Sequence, residues 1–165
     1  MLISAETLRT HLASSLWANQ RLIEAARQLT AEELARDFAT ADKSVLGTLV
    51  HIYASERVWL RRLTGEPALA FVTHADYRMS VIEEDWPALG RRWTEWAADL
   101  SDEDANKSIS YTDLRGNPWE QPAWQIVLHA VNHSTHHRGQ VSGFLRALGR
   151  TPPSLDLIRY YRGES

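Results

Sequence analysis

The chain has 165 residues, of which 44% are apolar and 24% charged, a composition typical of a folded domain rather than a disordered chain. Its formal net charge of −3 gives no electrostatic reason to expect binding to nucleic acid or to an anionic membrane surface. It contains no cysteine, which excludes disulfides, thiolate zinc sites and a cysteine nucleophile.

Targeting segments are not predicted either. No apolar run approaches the roughly 20 residues that cross a bilayer. The opening "MLISAETLRT" lacks the basic and long apolar regions of a secretion signal. We therefore expect a single cytoplasmic domain over residues 1–165.

The first half of the chain predicts two long helices. The first covers about residues 4 to 29, with an apolar stripe formed by Leu8, Leu12, Leu16, Ile23 and Ala26. "TAEE" at 30–33 is typical of a capped start to a short extra turn. Ser44 is the predicted N-cap of the second long helix, which ends near Leu63 before "TGEP". Residues 64–79 are predicted to form a loop.

The second half predicts two more long helices and a hairpin. The third helix covers about 83–100, and "SDED" (101–104) starts another short turn. "SISYTDLRGNPWEQ" (108–121) alternates around Gly-Asn and predicts a small hairpin. The fourth helix runs from about 122 to 149, followed by "RTPPS" and a short C-terminal helix around 155–161. Four long helices with long connections indicate an all-α four-helix bundle with crossovers.

A histidine cluster lies on the fourth helix. "HAVNHSTHHRGQ" (129–140) contains four of the seven histidines of the chain. A helix turns about 100° per residue, so with His129 at zero, His133 lies at about 40° and His137 at about 80°. Both fall inside the apolar stripe formed by Ile126, Ala130, Val141, Phe144, Leu145 and Leu148. His129 lies on the edge of this stripe, and His136 faces away.

Two interpretations of the inward pair remain open. The histidines are either individually hydrogen-bonded or joined by a metal ion, since imidazoles at i and i+4 lie about 5–6 Å apart at Cβ and can share one. Burying both without partners would cost several kcal/mol, which a shared ion would avoid. A third ligand would come from a carboxylate or from one of His11, His51, His74 and His129. Of these, His11 and His74 are predicted in surface or loop positions, and the apolar face of the second helix lies away from His51.

Other polar residues have predicted structural roles. Glu56 falls among apolar residues of the second helix and needs a hydrogen-bonding partner if buried. Asn19 lies in the apolar stripe of the first helix and is predicted to form structural hydrogen bonds. Arg138 and Gly139 are predicted to serve helix packing and a neighbouring carboxylate, whereas Gln140 lies on the histidine side and could touch a metal-bound water.

Three segments of the chain resemble a known family. "LWANQRL" (16–22), "LVHIYASERVWLRRLTG" (49–65) and "NHSTHHRGQVSGFLRALGRTPPSLDLIRYY" (132–161) resemble, in this order, the DinB/YfiT-like superfamily of metalloenzymes. The H-x-x-x-H-R-G-Q run at 133–140 is the most specific element. The resemblance implies up-up-down-down connectivity and a divalent metal bound by His51, His133 and His137. His129 and Gln140 are then candidates for a substrate-facing or catalytic role.

The resemblance also implies a reaction class. Three imidazoles leave a zinc-, nickel- or iron-type ion with open coordination, so that it can activate water or bind a substrate thiolate. Because the chain has no cysteine, the thiol would be a low-molecular-weight cosubstrate. Thiol-dependent S-transfer or isomerisation of a small electrophile is the leading expectation, and metal-assisted hydrolysis the second. The alternative is a non-catalytic metal- or ligand-binding stress-response bundle.

The expected partners are a small-molecule substrate and, because homodimers are common in the superfamily, a second copy of the chain. Two tryptophans expected on the surface, Trp93 and Trp96, are candidates for the dimer contact.

Overall fold

A computed structural model describes residues 2–67 and 72–164. Its helices are α1 (Ala5–Ala26), α2 (Ala31–Ala35), α3 (Val45–Thr64), α4 (Trp86–Ala98), α5 (Asp102–Asn106), α6 (Ala123–Ala147) and α7 (Leu157–Tyr161). A 3₁₀ turn covers His74–Asp76, and a π-helical turn over Val81–Asp85 leads directly into α4. Strands β1 (Ser108–Thr112) and β2 (Pro118–Pro122) form an antiparallel hairpin before α6.

The helices begin and end where the sequence provides caps. The Ser44 hydroxyl accepts a hydrogen bond from the backbone N–H of Gly47 at 3.0 Å and thereby caps α3. Thr30 and Glu33 form a reciprocal capping box at the start of α2. Helix α3 ends at Gly65, whose φ of 68° is the left-handed conformation that glycine adopts without strain. The predicted all-α bundle with short extra helices and a hairpin is confirmed.

Side-chain contacts give the relative directions of the long helices. Arg9, near the start of α1, donates to the carbonyl oxygens of Ala97 and Leu100 at the end of α4. At the other end Arg27, directly after α1, pairs with Glu83 directly before α4. Helices α1 and α4 are therefore antiparallel.

The other pair of long helices is also antiparallel. His51 in the first half of α3 lies beside His133, whereas Trp59 in the second half lies beside His129, which comes earlier in α6. Helix α6 runs parallel to α1, because Arg150 after α6 binds Glu33 in the short helix that follows α1.

These directions define an up-down-down-up bundle, so the expected up-up-down-down connectivity is wrong. The short α2 segment reverses the chain between α1 and α3, and the hairpin reverses it between α4 and α6. Gly65 at the end of α3 and Ser80 before α4 therefore lie at opposite ends of the bundle. This connectivity was expected from the family resemblance alone, and helical periodicity could not correct it, because periodicity assigns a buried face to each helix without specifying its direction.

The core corrects a second expectation. Trp93 is only 1% exposed, because it lies on the same face of α4 as the buried Trp86, Leu89 and Ala97. Trp96 is partly buried against that core. Trp93 is therefore a packing residue and is not available for a dimer contact.

Within residues 2–67 and 72–164, no helix combines the length and apolarity needed to cross a bilayer.

Candidate metal centre

Helices α3 and α6 bring three histidines together. The Nε2 atoms of His51 and His133 lie 3.1 Å apart. The ring of His137 is centred 4.4 Å from that of His51 and 4.5 Å from that of His133. One nitrogen from each ring lies within 4.8 Å of the other two. In the described part of the chain, this is the only group of three or more metal-ligating side chains with this spacing.

The positions of the three rings follow from their helices. His133 and His137 are one turn apart on α6, and both are half-buried, as their place in the apolar stripe predicts. His51 has 39% of its side chain exposed, against 13% for His137. It therefore lies at the rim of the cleft between α3 and α6, which explains why the apolar face of α3 points away from it.

The three-histidine cluster has polar neighbours on its outer side. The Oδ1 atom of Asp42 lies 3.5 Å from Nδ1 of His51, and its Oδ2 atom lies 3.7 Å from Nδ1 of His137. The amide oxygen of Gln140 lies 2.8 Å from Nδ1 of His137, which agrees with the predicted position of Gln140 on the histidine side. Asp42 was not among the predicted site residues, because it lies in the segment before α3, where helical periodicity gives no information.

Burial keeps the imidazoles of His133 and His51 uncharged. Together with the neighbouring imidazoles of His137 and His51, burial lowers the pKa of His133 to about 4. Burial also lowers the pKa of His51, although the carboxylate of Asp42 opposes this effect. Both rings are therefore neutral at pH 7, which is the protonation state that a metal ligand requires.

The remaining histidines lie outside the three-histidine cluster. His129 is exposed, and its ring packs edge-on against Trp59 with centroids 4.7 Å apart. Its ring centroid is 5.9 Å from that of His133, and burial of its inner part together with the Arg62 charge lowers its pKa. His136 is exposed, as predicted from its outward angle. His11 lies on α1, in a cleft that α1 forms with α6 and the C-terminal segment, and the side chain of His74 is outside the described part of the structure.

A buried polar network lies directly behind the three-histidine cluster. Glu56 is 5% exposed, and its Oε1 accepts hydrogen bonds from Nδ2 of Asn19 at 2.9 Å and from Oγ of Ser134 at 2.8 Å. Its Oε2 accepts a hydrogen bond from Nε1 of Trp86 at 2.7 Å. Arg138, also 5% exposed, donates to Oδ1 of Asn19 at 2.8 Å. The predicted need of Glu56 for partners and the structural role of Asn19 are therefore observed.

This network is continuous with the histidine-bearing face of α6. Ser134 and Arg138 directly follow His133 and His137, so both network residues on α6 are adjacent in the chain to a residue of the cluster. The network joins α1, α3, α4 and α6 through hydrogen bonds. It thereby limits rotation of α6 about its axis, which would move the histidines away from His51.

The fold and the cluster together define a class of protein: a helical bundle that presents three histidine nitrogens able to hold a metal ion between two of its helices. The chain belongs to the DinB family, whose model matches residues 1–164.

Individual relatives support this assignment. The chain is 25% identical to Protein DinB of Bacillus subtilis (strain 168) over 152 residues, which covers 88% of each chain. It is 29% identical to the uncharacterized protein YizA of the same organism over 136 residues, covering 79% of this chain and 81% of YizA. A crystal structure of a DinB-like protein from Bacillus cereus ATCC 10987 has the same fold, with a TM-score of 0.68 at 20% identity over 93% of this chain and 99% of that one.

Proposed function

We propose that this protein is a divalent-metal-dependent enzyme in which His51, His133 and His137 hold the ion. The main supporting observation is the convergence of three ring nitrogens from two helices, at least two of them on neutral imidazoles at pH 7. Neutral imidazole is the commonest metal ligand among protein side chains.

The spacing of the rings fits an ion. Two nitrogen ligands about 2.0–2.1 Å from a tetrahedral ion are separated by about 3.3 Å. The Nε2 atoms of His51 and His133 are 3.1 Å apart, close to that value. The Nδ1 atoms of His51 and His137 face Asp42 and Gln140, which leaves the opposite nitrogen of each ring free for an ion.

The residues around the cluster favour catalysis over a structural role. An ion held by three protein nitrogens retains open coordination and supplies a Lewis acid to a substrate. His51 lies at the rim with 39% of its side chain exposed, so a small molecule can approach the cluster from solvent. Exposed His129, one turn before His133, is the proposed proton carrier on this approach.

The leading reaction is transfer of a low-molecular-weight thiol to a small electrophile. The thiol sulfur forms a bond to carbon, for example by opening an epoxide, while the carbon–oxygen bond breaks and the thiol proton passes to the released oxygen. The chain has no cysteine, so the sulfur nucleophile enters as a cosubstrate. Hydrolysis of an ester or amide at the same ion is the second reaction to test.

Metal content tests the first step of this proposal. The purified wild-type protein is expected to contain close to one equivalent of a divalent ion by elemental analysis, and His133→Ala is expected to lose it. His136→Ala is the matched control, because it removes an exposed imidazole from the same helix outside the cluster. Equal metal content in the wild type and His133→Ala would contradict the assignment of the ligands.

Turnover tests the second step. Thiol consumption is measured against a panel of epoxides and activated alkenes, with and without chelator, and ester hydrolysis is measured in parallel. Activity that chelator removes and re-added metal restores is expected in the wild type and in His136→Ala only. One bound ion without turnover on any of these substrates would instead support a non-catalytic metal-binding bundle.

A further inference from the structure

We infer that Asp42 is a positioning residue that fixes the ring orientation and tautomer of His51, with a secondary contact to His137, and that Gly47 is required to hold Asp42 in place. This inference rests on the proposed metal site, because a fixed tautomer has a function only if the opposite ring nitrogen binds an ion.

One carboxylate lies behind two of the histidine rings. Each oxygen of Asp42 faces Nδ1 of a different imidazole, at 3.5 Å for His51 and 3.7 Å for His137. These separations exceed the usual N···O distance of a hydrogen bond by less than about 1 Å, so a small ring movement brings either pair of atoms into hydrogen-bonding distance. Asp42 does not belong to the group of mutually close ligand atoms, so it acts on the site through the rings.

The two rings differ in the acceptors that face their Nδ1 atoms. His137 has another acceptor for its Nδ1 proton, the amide oxygen of Gln140 at 2.8 Å. Among the described residues, Asp42 is the acceptor that faces Nδ1 of His51. A carboxylate at Nδ1 favours the tautomer with the proton on Nδ1, which leaves the lone pair on Nε2. The Nε2 atom of His51 is the one that points at His133.

The backbone on both sides of Asp42 has an unusual conformation. Ala39 and Lys43 adopt left-handed φ angles of 57° and 63°, which cost a non-glycine residue roughly 1–2 kcal/mol. A hydrogen bond from the backbone N–H of Phe38 to the carbonyl oxygen of Lys43, at 2.7 Å, closes the turn. Strained backbone that is held in place in this way is typical of functional sites.

Gly47 connects this turn to α3. A Cβ atom at position 47 would lie 2.1 Å from the carbonyl oxygen of Asp42, a distance at which the backbone must move. The same carbonyl accepts a hydrogen bond from the N–H of Ser44 at 2.7 Å. The absence of a side chain at Gly47 thus lets the Asp42 turn pack against the first turn of the helix that bears His51.

The first experiment measures the tautomer directly in the metal-free protein. Long-range ¹H–¹⁵N correlation spectra at pH 7.5 are expected to show the His51 proton on Nδ1 in the wild type. Asp42→Ala is expected to produce a mixture of tautomers, and Asp42→Asn, which retains a side-chain oxygen, an intermediate result. Asp37→Asn is the control in the same turn, since the asparagine oxygen can still accept the hydrogen bond from the N–H of Ala39.

The second experiment measures metal affinity by competition of Zn²⁺ with a chelating dye. Asp42→Ala is expected to weaken binding 10- to 100-fold, the usual effect of losing such a partner. Gly47→Ala is expected to weaken binding similarly, and the double variant no more than the stronger single variant, because both changes remove the same interaction. Asp37→Asn should stay within about twofold of the wild type.

An unchanged tautomer together with an affinity within twofold in Asp42→Ala would overturn the inference. If Gly47→Ala does not fold, the result for Asp42→Ala still decides whether Asp42 positions the ring of His51. If the wild type binds no Zn²⁺, the proposed function fails, and the tautomer measurement still tests Asp42 by itself.

Discussion

Replacing Glu56 with glutamine tests how strongly the buried network contributes to the bundle. Glutamine has nearly the same shape, but only one of its two terminal atoms accepts hydrogen bonds. If the glutamine oxygen keeps the hydrogen bonds from Asn19 and Ser134, the glutamine NH₂ group faces the indole N–H of Trp86. In the wild type, Nε1 of Trp86 lies 2.7 Å from Oε2 of Glu56. Two donors then face each other in the core, and Arg138 loses the negative charge nearest to it in the network.

The expected cost follows from these two changes. An unsatisfied buried donor costs about 1–3 kcal/mol. Removing the partner of a buried charge costs about 3–5 kcal/mol. The second cost is smaller here, because Arg138 contacts Glu56 only through Asn19 and keeps its own hydrogen bonds to Asn19 and Ser15. We therefore expect Glu56→Gln to reduce the free energy of unfolding by about 3 kcal/mol, out of a total of about 5–15 kcal/mol.

The assay is urea denaturation of the metal-free protein at pH 7, followed by tryptophan fluorescence and far-UV circular dichroism. With a slope of about 2 kcal/mol/M, the expected loss lowers the midpoint by about 1.5 M. Glu83→Gln is the control, since the Arg27–Glu83 pair is exposed by 42% and 36% and should contribute no more than about 1 kcal/mol. A loss below 1 kcal/mol in Glu56→Gln, with an unchanged slope, would refute the assigned hydrogen-bonding roles.

Metal, pH and helix termini give further predictions. Adding Zn²⁺ at about 100 times its dissociation constant should stabilise the wild type by about 2.7 kcal/mol, measured as a higher melting temperature that EDTA reverses; no shift would contradict metal binding. The pKa of His133, about 4 in the folded state, lies below its value near 6.5 in the unfolded chain, so metal-free stability should fall as pH drops from 6.5 toward 4. His133→Asn should reduce this slope between pH 6.5 and 5, and an identical slope would contradict the assigned burial effect. Ser44→Ala should cost about 1 kcal/mol in urea denaturation by removing the cap of α3, whereas an unchanged midpoint would show that water replaces the hydroxyl. Gly65→Ala should cost about 1 kcal/mol, because the left-handed φ of 68° disfavours alanine even in open space, and equal stability would show that the helix end relaxes.

The parts of the fold that local chemistry determines were predictable. The start of α3 at Ser44 and of α2 at Thr30 follow from side chains that satisfy free N–H groups a few residues away. The inward position of His133 and His137 follows from the helical repeat alone, which relates them to Val141 and Leu145 on the same helix.

Features that depend on how helices meet were not predictable in this way. His51 lies at the edge between two helices, so the apolar face of α3 could not indicate its neighbours on α6. Asp42 reaches the site from a turn with left-handed residues at Ala39 and Lys43, although neither is the glycine that normally marks such a conformation. The directions of α3 and α4 depend on which ends of the helices lie together, and this leaves no periodic pattern in the sequence.

The sequence distance between His51 and His133 has a consequence for biosynthesis. The two residues are 82 positions apart, and the last ring of the cluster follows four residues later. When only the first two-thirds of the chain have left the ribosome, His51 is the single imidazole of the cluster outside it. No second ligand is then present to bind an ion together with His51. Metal binding at the proposed site would therefore have to await the emergence of α6 and its docking on α3, so that an ion retained after purification would report this final assembly step.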